Sequence, residues 1–68
     1  MSRRAIDQWR TARSLNNLAD LLEAQGQPAA ARPLLERALA ICERTLGPDH
    51  PDTASVRANL RALRRKLT

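Results

Sequence analysis

The residues best suited to bond chemistry are Cys42 and the trio Asp49, His50 and Asp52. An imidazole between two carboxylates is a minimal acid–base or metal-binding set. A zinc site needs a second imidazole or thiolate beside the first, and the trio offers none. Pro48 and Pro51 bracket His50, so the stretch reads as helix punctuation, with the Asp52 carboxylate placed to suit the dipole of a new helix. Cys42 falls on the apolar face of a helical pattern with no histidine placed beside it by any motif, and reads as a small core residue. The sequence carries no Gly-rich phosphate loop, no Ser/His/Asp spacing and no convincing carboxylate pair. No catalytic residue, metal site or cofactor is expected, and binding is the chemistry left to consider.

Charge is the first binding signal. The formal net charge of +5 is segregated along the chain. Arg3, Arg4, Arg10 and Arg13 against Asp7 leave residues 1–13 at +3, six acids against three arginines bring 14–56 to −3, and Arg57, Arg61, Arg64, Arg65 and Lys66 make 57–68 +5. A basic end of this kind can contact phosphates of a nucleic acid or an acidic membrane surface. It contains no aromatic residue to stack on bases, which makes nucleic acid the less favoured partner.

The elements that carry these side chains are helical. The chain is rich in Ala, Leu and Arg, with two glycines, one tryptophan and neither Phe nor Tyr, a composition against a sheet and for an all-α fold. At 68 residues it is one domain at most and buries only about 60% of the surface its unfolded form exposes. A lone cysteine, no signal peptide and no long apolar run make a cytoplasmic protein without a membrane span the default.

Nothing from Ser2 to Gln25 breaks a helix, so the pattern predicts a first helix over about 2–25 with Ser2 as N-cap. Ala5, Trp9, Ala12 and Ala19 form one apolar line on it, and Leu15, Leu18 and Leu22 an adjacent one. Trp9 either packs within the chain, on the third helix or its own hairpin, or anchors a subunit contact together with Ala5 and Ala12. Gly26 and Pro28 close a tight turn into a second helix over about 28–46, in which Pro33 is expected to bend the first turn and a half and delay the regular helix. Gly47 and Pro48 stop it, and Pro51 opens a third helix over about 51–67 with a narrow stripe of Val56, Leu60, Leu63 and Leu67.

A shift of 42 residues lays Thr11 and Ala12 on Thr53 and Ala54, Asn17 and Leu18 on Asn59 and Leu60, and Leu21 on Leu63. The third helix therefore reads as the first helix of a further repeat, and helix pairs at fixed period mark a solenoid. The pattern Leu15, Leu18, Ala19, Leu22, Gly26, Ala31, Leu35, Ala38 and Leu39 resembles the tetratricopeptide repeat. The segments SLNNLA, AARPLLERALAI and LGPDHPDTA look like its long-linker version, found in kinesin light chains.

The resemblance covers about residues 11–60. It implies a non-catalytic protein-interaction scaffold built as an antiparallel helical hairpin plus a third, capping helix. Gln8, Trp9 and Arg10 stand where such a linker would carry His-Pro-Asp, so the first ten residues look like a helical extension. Arg61 and Arg64 replace the small Ala19 and the apolar Leu22, as in a polar helix that ends a stack. On the family's concave face the resemblance places Arg13, Asn16, Asn17, Asp20 and Glu23, with Asn59 as the counterpart of Asn17 and Arg65 further along, as contacts for a bound peptide. A repeat unit does not bury its apolar face alone, so a homo-oligomer is expected beside a protein or peptide partner.

Overall fold

The structure, a computed structural model, describes residues 3–67. Three helices follow one another: α1, Arg3–Ala24; α2, Pro28–Thr45; and α3, Pro51–Leu67. The expected Ser2 cap lies outside the described residues. At 1.5 Å per residue α1 is about 33 Å long, nearly the full 37 Å of the long axis.

The connections are short because each helix is stopped by its own backbone. Gly26 takes φ +77°, its N–H donates to the Glu23 carbonyl at 3.0 Å, and the Gln27 N–H donates to that of Leu22 at 2.8 Å. Together these bonds satisfy two of the carbonyls that a helix end leaves open. Gln27 gives α2 no side-chain cap and Pro28 stands at its start, where the missing N–H costs nothing. Gly47, at φ +93°, closes α2 with the N–H groups of Leu46 and Gly47 both on the Cys42 carbonyl.

Pro33 departs from expectation. α2 is continuous from Pro28 through it, so the helix starts on time. Both Pro33 and Ala29, whose carbonyl lost its donor, are exposed, which lets water take the bond that proline removes.

The hairpin turn sets α1 and α2 antiparallel, and they meet through small residues. Ala12 and Ala19 of α1 face Ala31, Leu35, Ala38 and Cys42 of α2 in one core. Alanines let the helix axes approach, and Leu15, Leu22, Leu34 and Ile41 fill the margins. α3 docks on α2 with Val56, Leu60 and Leu63, the last fully buried.

α3 runs parallel to α1 and meets it in polar pairs. Trp9 donates through Nε1 to Asp52 Oδ2 at 3.5 Å, Asn59 donates through Nδ2 to Asn16 Oδ1 at 3.3 Å, and Lys66 Nζ lies 3.6 Å from Glu23 Oε1. Each pair joins residues 43 apart, and successive pairs are seven apart on both helices. Seven residues are close to two turns, so one seam of each helix faces the other along its length.

Candidate functional site

Between α1 and α3 the chain opens a cleft of about 420 Å³. Its floor is apolar, made of Ala12, Cys42 and Val56, and its walls are polar: Trp9, Arg13 and Asn16 on α1, Asp52 and Ser55 on α3. The walls follow from the helical period, since Trp9, Arg13 and Asn16 lie at spacings of four and three on one face.

The Arg13 guanidinium carbon sits 5.4 Å from the centre of the Trp9 ring, within cation–π range. Trp9 is thereby held on two sides, by Arg13 along its own helix and by Asp52 across the cleft. Burial, and secondarily the negative charge of Asp52, push the Cys42 thiol up from its ordinary value. The thiol therefore contributes a neutral group to the floor. The arrangement offers a cation, a carboxylate, an amide and an aromatic face above an apolar base, a set suited to peptide backbone and side chains.

The expected contact residues separate into two groups. Arg13 and Asn16 line the cleft. Asn59 is half-buried and spends its amide on Asn16 at one edge. Asn17 and Asp20 are exposed but outside the lining. Glu23 is tied to Lys66.

Arg65 does not share this face. It lies with Arg57, Arg61 and Arg64 in a second cleft, beside Leu39 of α2. Six residues past Asn59 carry a helix about 120° away from the seam, whereas the seventh, Lys66, returns to it.

Of the three residues expected at a subunit contact, Ala12 is only 2% exposed and lies in the chain's own core at the floor of the cleft. Trp9 and Ala5 are half-buried. Asp52, Ser55, Cys42 and Val56 enter the cleft unforeseen. The spacing of 43 between Trp9 and Asp52 held the signal for the first of them, but the relative height of two helices is set by the connections between them.

The His50 trio is punctuation. His50 Nδ1 accepts the Asp52 backbone N–H at 3.1 Å, and the His50 carbonyl takes the Ala54 N–H at 3.0 Å. The imidazole is thus the N-cap of α3. Among the described residues no group of three or more His, Cys, Asp or Glu is placed to hold a metal ion, and no helix is long and apolar enough to cross a membrane.

The family model described as tetratricopeptide repeat matches residues 11–52. The chain belongs to the tetratricopeptide repeat family. The matched span takes in most of α1, all of α2 and the linker up to the start of α3, which makes the hairpin the repeat and α3 the helix that follows it. Searches of curated proteins and of solved structures find no match. A tetratricopeptide repeat is a protein-interaction scaffold, generally non-catalytic, and the all-α hairpin with its third helix has that architecture.

Proposed function

We propose that the chain captures a peptide segment of another protein in the α1–α3 cleft. The observation that carries this reading is the juxtaposition, above one apolar floor, of Trp9, Arg13 and Asn16 with Asp52 and Ser55. A peptide can place an apolar side chain on Ala12, Cys42 and Val56 while the polar walls take its backbone groups. The linker through Gly47, Pro48 and His50 fits the long-linker, kinesin-light-chain-like version of the repeat, and we read the chain as that kind.

Panning a random peptide library on the immobilised chain, then titrating the selected peptides, tests this. Ser55→Arg fills the cleft from a solvent-exposed position and should weaken them at least about tenfold, a cost on the order of 1.4 kcal/mol, with helicity unchanged. Asn17→Ala, outside the lining, should leave them unaffected. Peptides indifferent to Ser55→Arg, or none selected, would remove the reading.

We also infer self-association through the flank of α1 away from α3. Leu18 and Leu21 are 46% and 52% exposed there, and the 42-residue shift makes them the counterparts of Leu60 and Leu63, which seat α3 on α2. The chain presents its own helix-docking face a second time, uncovered. Sedimentation over a range of concentrations should show dimers that Leu18→Ser with Leu21→Ser abolishes. A monomer at every concentration sinks the inference.

A further inference from the structure

The second cleft lies on the opposite side of α3 from the seam, between α3 and α2, and encloses about 460 Å³. Leu39 and Leu60 form its base, and Arg57, Arg61, Arg64 and Arg65 surround it. The internal repeat gives this place a structural meaning. Shifted by 42 residues, Arg57, Arg61 and Arg64 fall on Leu15, Ala19 and Leu22 of α1, which pack into the hairpin core that α2 completes. The cleft is the seat on α3 that corresponds to the one α2 occupies on α1. It keeps that place in the repeat but exchanges apolar walls for guanidinium groups.

We propose that this seat receives an acidic amphipathic helix from another protein, lying antiparallel to α3 as α2 lies antiparallel to α1. Charge complementarity selects the partner. From Arg57 to Arg65 the arginines extend about 12 Å along α3, and their spacings of four, three and one match carboxylates one turn apart on a facing helix. Guanidinium forks bind carboxylates in pairs.

Two of the four are already positioned by the chain. Arg57 donates to the Pro48 carbonyl at 3.2 Å, and Arg64 lies 3.9 Å from Glu36. Arg61 and Arg65, both exposed, complete the wall. The apolar base separates this partner from a nucleic acid. A leucine on the incoming helix covers Leu39, whereas a phosphate backbone would leave that base unused and find no aromatic ring to stack on. The site is distinct from the α1–α3 cleft and does not depend on what that cleft binds.

The test uses a labelled synthetic peptide of about 16 residues, four to five helical turns, with leucines at i, i+4 and i+7 and glutamates on both flanks, titrated against the full chain by fluorescence anisotropy. Polyglutamate, a scrambled peptide of the same composition and a single-stranded oligonucleotide are the competitors. The amphipathic peptide should bind at least about tenfold tighter than polyglutamate or the scramble, and Arg61→Glu with Arg65→Glu should remove that advantage while circular dichroism stays unchanged. Equal binding of the scramble or of polyglutamate would mean counterion attraction alone and overturn the proposal, as would tighter binding of the oligonucleotide. Failure of the peptide to bind, or binding unaffected by the two reversals, overturns it as well. Ser55→Arg serves as a further control, since it blocks the other cleft and should leave this peptide's affinity intact.

Discussion

Asn59 donates its side-chain amide to the carbonyl oxygen of Asn16 at 3.3 Å, in the middle of a polar seam that runs from Trp9 and Asp52 to Glu23 and Lys66. α3 is held to α2 by leucine burial, which is non-directional, and the seam adds directional contacts at the height that the connections set for α3 against α1. An amide pair is suited to that role because it is satisfied in one register only.

Asn59→Ala should therefore lower stability by about 1 kcal/mol, a fall in melting temperature of about 4–8 °C for a chain of this size. The double-mutant cycle with Asn16→Ala separates the bond from each residue's other contacts. Purely additive losses would show that the pair does not interact in solution.

The cap of α3 gives a second prediction. His50 Nδ1 accepts the Asp52 N–H, a task that an asparagine oxygen performs equally well. Replacing His50 with Ala should cost about 1 kcal/mol, and His50→Asn should restore most of it. Equal stability of the two variants, measured by urea unfolding, would show that the imidazole does not cap the helix.

The fold was largely legible because its boundaries are written in local chemistry. Gly26 and Gly47 require positive φ and stand where helices end, while Pro28 and Pro51 stand where they begin. The candidate site was legible only in part, because it depends on how one helix meets another. The sequence echo pairs Asn59 with Asn17 at a shift of 42, whereas the contact pairs it with Asn16 at 43. That single residue is about 100° of helix, enough to send Asn17 out of the cleft and to make Lys66, not Arg65, the partner of Glu23. Equivalence in a repeat is not adjacency, and no pattern within one helix distinguishes them.

Thr53 carries a third prediction. It is fully buried, and among the described residues its hydroxyl has no hydrogen-bond partner. Its repeat counterpart, Thr11, is exposed on α1 and donates to the Asp7 carbonyl at 3.0 Å. The buried copy bears a desolvation cost without a compensating bond. Thr53→Val removes the hydroxyl with little change of shape and should raise stability by about 1 kcal/mol, read as a higher urea midpoint at unchanged slope. A lower midpoint would reveal a hydrogen bond to that oxygen in solution.

Cys42 makes stability depend on pH in a direction that can be worked out. Cys42 is 4% exposed, and burial, with the Asp52 charge as the smaller cause, raises the folded-state value of its thiol above the ordinary 9.0. The protonated thiol is thus favoured in the folded chain, and this contribution is fully present below the unfolded value. As the pH rises past 9 the unfolded chain gives up its proton first. Stability then falls, by at most about 1.4 kcal/mol per pH unit, until the folded thiol titrates too. The chain has no tyrosine, and Lys66 and the terminal amine are common to both proteins in a comparison of wild type with Cys42→Ala. Urea unfolding from neutral pH upward should give a wild-type curve that drops below its own plateau earlier and more steeply than that of the variant, whose overall level is lower because of the cavity it leaves. Parallel curves would mean that the thiol titrates alike in the folded and unfolded chains, and that the floor of the α1–α3 cleft is wetter than its packing implies.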